Sequence, residues 1–428
     1  MHIVSLRIQD LCCIAATSLE LCTATAQVDG PVAPNVTVLL GANGAGKTTV
    51  LRAIALAVLA PALERGAGFV AQGLVRRVPQ RRSADHESAA AIAPDVARVH
   101  VTIALHPQDQ LDRATTAGGL RQQAMSATVE RIGGDEELEW LRPANPLRAR
   151  DLREVQLARD SSAFFIVGYG ANRRVEADTR PPWEVVSSVR CQRHARIAGL
   201  FTDSHVLVPL SAWLPGYATR NPGRARQVTT LMNRLLPEGC RFELDATDAA
   251  GGGVRFIMQG VVVPFAALCD GYRAYVGWIA DLLYHVCMGA PSGHKLVDSH
   301  GVVLVDEVDL HLHPAWQRIL LPTLAKALPH MQFIVTTHSP LVVGSLQARN
   351  IRLLEPQGAV GTACRALPDE VQGRTAEQLL LGPYFGLPST RSTETADALD
   401  RLRQASQAGD PDAAADYLRW LASGAITP

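Results

Sequence analysis

Lysine is nearly missing from this chain: Lys47, Lys295 and Lys326 are the only three, and arginine carries the rest of the positive charge. The 41 basic residues are matched by 41 acidic ones, so formal net charge is +0. That balance excludes a whole-molecule field drawing in polyanions, although a local patch stays open. Paired cysteine motifs are lacking too. The eight cysteines, at 12, 13, 22, 191, 240, 269, 287 and 364, form no CxxC, which argues against a structural zinc site or a disulfide framework. No apolar run is long enough to span a bilayer: residues 53–63 are too few and residues 275–288 include Asp281, whereas a spanning helix needs ~20 apolar residues. The opening MHIVSLRIQD carries Arg7 and Asp10 and alternates like an amphipathic strand, not like an export signal. A cytoplasmic protein with reduced thiols and no membrane partner is expected. With 47% hydrophobic and 19% charged residues the composition is that of a folded globular protein.

Along the chain, a strand pair at 3–8 and 18–21 leads through Gly30-Pro31 to the β-branched run 36–40, a buried strand. After a glycine-rich loop, Val50, Leu51, Ile54, Val58 and Leu59 keep the 3.6-residue period of a helix that stops at Pro61. Residues 99–105 alternate like a strand. Residues 107–160 are polar and charged, with helical spacing at Leu147, Leu152 and Val155, and read as an inserted helical arm or lid. Further on come a strand at 164–167, helices at 227–236, 272–288 and 315–328, and strands at 301–305 and 333–337. Strands alternating with helices imply an α/β fold with a mainly parallel sheet. The tail holds two short helices, the second with Asp410 as N-cap and Pro411 at its first position. The expected organisation is the N-terminal half of one α/β domain at 1–105, the helical insertion at 106–160, the remainder of that domain at 161–385, and a helical tail at 386–428.

Gly41-Ala-Asn43-Gly44-Ala45-Gly46-Lys47-Thr48 satisfies G-x-x-x-x-G-K-[ST] between a buried strand and a helix, the context a P-loop needs. Such a loop wraps backbone N–H groups and a helix N-terminus around phosphates. ATP contacts are accordingly placed on Asn43, Gly44, Ala45, Gly46, Lys47, Thr48 and Thr49, with Lys47 neutralising the β- and γ-phosphates and the Thr48 hydroxyl serving Mg²⁺. Val302-Val-Leu-Val-Asp306-Glu307 has the form of a Walker B strand. Asp306 at its carboxyl end would be the second Mg²⁺ group, and Glu307 the base that orients and deprotonates water. Thr336-Thr-His338-Ser-Pro340 ends the next strand, where His338 could donate to the γ-phosphate.

Leu268-Cys269-Asp270-Gly271-Tyr-Arg273 opens a helix ahead of Walker B. Together with GANGAGKTT, VVLVDEVDLHLHP and VTTHSP it resembles the ABC-type ATPases of the RecF, OLD and SMC-like branch, close to the ATPase subunits of Septu-type phage-defence systems. The resemblance covers roughly 1–60 and 260–345. It implies a P-loop NTPase of ABC/SMC-head type with an antiparallel N-terminal strand pair, in which Cys269, Asp270, Gly271 and Arg273 reach the partner's ATP across a homodimer. Here Cys269 stands in place of a serine and Asp270 in place of a glycine; a thiol is the weaker donor, and Arg273 could offset the added charge. Tyr169 and Arg173, in GYGANR, lie where the family places its Q-loop, though without the glutamine. His311 and His313 fall in the family's LHLHP segment by the dimer interface, and no third metal ligand is evident.

The arginines at 76, 77, 81, 82, 142, 148, 150 and 153 could form a phosphate-binding patch or an ion-paired surface with Glu137, Asp151 and Glu154. Two functions follow from the resemblance: a dimeric ATP-driven switch in phage defence that controls a separate effector, a nuclease, or a RecF/SMC-like DNA-maintenance ATPase. DNA is an open partner in either. A transporter subunit is disfavoured by the large insertion and by LCDGYR.

Overall fold

The computed structural model describes residues 1–23, 33–64, 69–77, 94–106, 121–158, 161–175, 189–244, 253–291, 293–358 and 361–423. They fall into two compact units, Met1–Gly373 and Arg374–Pro428.

In the first unit a six-stranded sheet runs in the order Thr362–Arg365, Ile351–Pro356, Val36–Leu40, Met331–Thr336, Gly301–Val305, Ile166–Tyr169. Every pairing is parallel except that of Thr362–Arg365. Its central strands are buried on both faces, which is why they read as unbroken apolar runs. Alternate side chains feed two separate cores: Val303, Val305, Phe333 and Val335 enter one, and Val302, Leu304 and Ile334 the other.

The second core is closed by an antiparallel sheet in the order Ile14–Glu20, His2–Leu11, Val96–Leu105, Arg121–Ile132, Asp135–Leu141. The helix Lys47–Leu63 packs in this core with 15 of its 17 residues buried, so it is apolar all round instead of amphipathic. It runs two residues past Pro61. The ring's fixed φ suits a helix, and the turn after it still closes through Glu64 N–H to Ala60 O at 3.0 Å.

The helical insertion expected at 106–160 is corrected by this sheet. Residues 121–141 form a β-hairpin, and among the described residues of this stretch only Pro146–Leu157 is helical. Met125, Ala127 and Val129 in one strand, and Leu138 and Trp140 in the other, are buried at the two-residue period of a strand. Glu130, Glu137 and Glu139 alternate with them on the opposite face, and their charge masked that period. The helix expected at 315–328 is two pieces, Pro314–Gln317 and Leu320–Ala327, since Pro322 has no N–H for the carbonyl of Arg318.

The second unit contains the helices Ala376–Leu381, Thr393–Gln407 and Pro411–Ser423. Asp410 caps the last by accepting from the N–H groups of Asp412 at 2.9 Å and Ala413 at 3.2 Å. Arg391 lies 4.0 Å over the Trp420 ring. Among the described residues, no helix is long and apolar enough to cross a membrane.

Candidate nucleotide site

Val38, Val335, Val305 and Tyr169 occupy one register row across four parallel strands. Whatever follows them in sequence therefore meets at one sheet edge. Four segments distant in the chain arrive there: Gly41–Thr48, Thr337–His338, Asp306–Glu307 and Gly170–Arg173. The carboxyl edge of an open parallel sheet is where such folds bind ligands.

The loop at 41–46 turns into its helix through Gly46, at φ 93°, a region costly for a residue with a Cβ. A Cβ there would also lie 2.7 Å from Ile14 Cγ1. Lys47, 8% exposed, bends back and donates to the carbonyls of Gly41 at 2.8 Å and Ala42 at 3.0 Å. Burial lowers the pKa of its ammonium, opposed by the charges of Asp306 and Glu307. Asn43 and Gly44 are exposed at the loop tip and Ala45 is buried. Thr49 is turned inward, its hydroxyl 3.6 Å from Cys13 Sγ.

Asp306 is the centre of the polar network. Thr48 Oγ1 donates to its Oδ2 at 2.7 Å, and Thr336 Oγ1 donates to its Oδ1 at 2.6 Å. The same Thr336 oxygen accepts from the Glu307 N–H at 2.7 Å. Glu307 has φ 47°, unfavourable for a side chain of its size, and its backbone is held at both ends: its carbonyl accepts from Arg173 Nη2 and from Leu310 N at 3.0 Å. Burial pulls the Arg173 pKa down to about 10, against the opposing pull of Asp309, Asp306 and Glu307; it remains a cation at neutral pH. His338 is exposed one residue past Thr337, whose hydroxyl donates to Asp309 Oδ1 and accepts from Ser339 N–H at 3.0 Å.

Tyr169 ties this edge to the helix Asp270–Gly289. Its carbonyl accepts from the Asp306 N–H at 2.8 Å, and its hydroxyl donates to Asp281 Oδ2 at 2.8 Å. Burial, reinforced by the Asp281 charge, raises the Tyr169 pKa well above its ordinary value. Burial would also raise that of Asp281, but His285 and the hydrogen bonds from Val208 N–H and Tyr169 hold it low.

The start of this helix points its free end outward. Cys269 and Asp270 are exposed, Cys269 makes no side-chain cap bond, and Asp270 is ion-paired with Arg273 in the same turn. Gly271 packs on the segment after Walker B, where a Cβ would come 2.6 Å from the His311 carbonyl. Tyr272 stands edge-on to Trp316 at 4.1 Å. His313 Nδ1 accepts from Ala315 N–H at 3.2 Å as a helix cap, and no cluster of His, Cys, Asp or Glu fit for a metal occurs among the described residues.

Three roles have no signature in the sequence: Thr336 and Thr337 stand there only as part of VTTHSP, and Arg173, at the Q-loop position, reaches the Glu307 carbonyl across 134 residues of chain. Of the arginines weighed as a patch, 81 and 82 lie outside the described residues. Arg142 and Arg153 both pair with Glu64, Arg150 with Glu154 and Arg76 with Asp10, so these four are ion-paired.

Parts of the chain are similar to known proteins. Residues 256–344 match a family model described as "AAA domain, putative AbiEii toxin, Type IV TA system". A stretch of 88 residues is 42% identical to the Retron Ec83 probable ATPase of Escherichia coli, covering 21% of this chain and 16% of that protein. Over 227 residues the chain is 35% identical to the Septu protein PtuA of Bacillus mycoides (strain KBAB4), covering 53% of this chain and 30% of that one. Among solved structures, an SMC head bound to the C-winged helix domain of ScpA superposes over 86% of this chain and 98% of its own, with TM-score 0.48 and 13% identity. The chain spans at most 36% of the length of the curated relatives it matches. Parts of the chain are thus similar to an AAA-domain family model, to retron probable ATPases and to Septu proteins.

Proposed function

We propose that this chain binds and hydrolyses ATP at the carboxyl edge of its parallel sheet, and that it does so as the ATP-driven switch of a phage-defence system, in a head-to-head dimer that controls a separate effector nuclease. The observation that carries the reading is the Thr48–Asp306–Thr336–Glu307 network, which joins the P-loop to Walker B through bonds of 2.6–2.7 Å. The residues suit the ligand. Gly46 and the start of a 17-residue helix offer N–H groups to phosphate oxygens. Lys47 holds a cation that two backbone carbonyls keep in place until phosphate oxygens compete for it. Thr48 and Asp306 form an all-oxygen donor pair, suited to a hard cation; Mg²⁺ bound there would neutralise charge on the β- and γ-phosphates. Glu307, one residue beyond, would take the proton of the attacking water, and exposed His338 would donate to the γ-phosphate.

Dimerisation follows from the outward-facing start of the Asp270–Gly289 helix. Exposed Cys269 and the Asp270–Arg273 pair have no phosphate to meet on their own chain, while a two-fold partner supplies one. Similarity to Septu and retron ATPases supports the defence reading over DNA maintenance. Glu307→Gln provides the test: ATP binding persists, turnover falls by at least ~10²-fold, the ATP-bound dimer accumulates in light scattering, and phage protection by the native operon is lost. Unchanged turnover in a clean preparation would refute the base assignment, and a strictly monomeric protein under ATP would refute the dimer.

A further inference from the structure

Both lysines outside the P-loop lie on one face of the first unit, away from the nucleotide edge. The helix Pro222–Leu235 turns Ala225, Val228, Leu231, Met232 and Leu235 into the core. That leaves Arg226, Thr230 and Arg234 along one exposed line at four-residue spacing, about 12 Å from first to last at 1.5 Å per residue. Three surface grooves meet on this helix. The first is lined by Arg220, Gln227 and Lys295, the second by Arg226, Arg234 and Lys295, and the third by Arg234, Arg318 and Lys326. Neighbouring grooves share walls, Gln227 and Lys295 between the first two and Arg234 between the last two, so they form one continuous channel.

No aspartate or glutamate lines any of the three. The six cations Arg220, Arg226, Arg234, Lys295, Arg318 and Lys326 are all exposed. None of them joins an ion pair among the described residues, whereas Arg142, Arg150, Arg153 and Arg273 elsewhere are each matched by a carboxylate. In a chain of zero net charge, such a row is a local excess that favours a polyanion. Arg224 anchors it, donating to the carbonyls of Cys287 at 2.9 Å, Ala290 at 3.0 Å and Pro291 at the far end of the Asp270–Gly289 helix. The first groove therefore sits about 30 Å along that helix from Cys269, while Arg318 of the third follows Trp316, which packs on Tyr272.

We propose that this channel binds the phosphodiester backbone of duplex DNA, without reading its sequence. Repeated cations spaced along a helix suit repeated phosphates, and the aromatic rings lining the grooves, Tyr217 and His294, are confined to the first, so a stacking platform running the length of a single strand is lacking. Backbone contacts of this kind confer affinity without specificity.

The test is fluorescence anisotropy of a labelled duplex with the full chain, from about 50 to 200 mM salt. Six phosphate contacts give a log–log salt slope of about −5, and each cation removed lowers it by about one. Arg226→Glu with Arg234→Glu, both exposed positions, should weaken binding at least tenfold while the unfolding midpoint stays at the wild-type value. Arg226→Lys with Arg234→Lys should retain binding, as backbone recognition requires charge and not shape. Lack of duplex binding at low salt, or binding indifferent to the charge reversal, overturns the proposal. Tighter binding of a single strand overturns the duplex assignment. Displacement of the duplex by poly-glutamate at equal charge points instead to an acidic protein on this face and also overturns it.

Discussion

Thr336→Val removes one oxygen and keeps the shape of a side chain that is fully buried. That oxygen donates to Asp306 at 2.6 Å and accepts from the Glu307 N–H at 2.7 Å. Losing a hydrogen bond to a charged carboxylate costs about 1.5–3 kcal/mol, and leaving the Glu307 N–H without its partner about 1–3 kcal/mol more. The two share an atom and are not independent, so the expected loss of stability is about 2–5 kcal/mol, read as a lower midpoint in chemical unfolding of the ATP-free protein. The catalytic effect has a separate cause. Glu307 is held at φ 47°, a conformation worth roughly 1–3 kcal/mol of strain that persists only where the surroundings enforce it. With one restraint gone and only the carbonyl contacts of Arg173 and Leu310 left, the carboxylate should drift from its place. A misplacement near 1 Å can cost on the order of 10²-fold in rate. ATP turnover should therefore fall by that order while ATP affinity changes little, since Lys47 and the loop at 41–46 are untouched. Thr336→Ser, which keeps the oxygen, should restore most of both. A Thr336→Val protein that unfolds and turns over ATP like the wild type would refute the hub role of this residue.

Two further predictions follow from the same geometry. Lys47→Ala removes the donor shared by the Gly41 and Ala42 carbonyls and should abolish ATP binding in calorimetry while costing about 1–3 kcal/mol of stability; retained affinity in a folded variant would contradict the P-loop assignment. The His300 pKa is lowered to about 3, first by burial and then by His106, His330, the N-terminal amine and His2, with the His106 and His330 rings stacked on it at 3.6 and 4.9 Å. Between pH ~6.5 and ~3 the unfolded chain binds a proton there that the folded chain does not, so stability should fall as pH drops through this window. His300→Phe should flatten that fall in unfolding midpoints measured from pH 7 to 4, and an unchanged pH slope would contradict the account.

What the linear chain settles by itself is whatever one short segment can build alone. The P-loop is legible because strand, glycine turn and helix N-terminus are contiguous, and only Gly46 at φ 93° allows that turn. The Walker B strand is legible because a strand buried on both faces must be apolar throughout before its terminal acids. The hairpin at 121–141 was missed because its buried period of two runs through a charged stretch, and the partner strand that made one face a core face, Val96–Leu105, is not contiguous with it in sequence. Thr336, Arg173 and the Tyr169–Asp281 link lie beyond any local pattern: a threonine ending a strand looks the same with or without an aspartate 30 residues upstream against its hydroxyl. The basic channel is the clearest case. Arg226, Arg234, Lys295, Arg318 and Lys326 are scattered over a hundred residues of a neutral sequence, and only packing of the helices brings them into one row and keeps every carboxylate out of it.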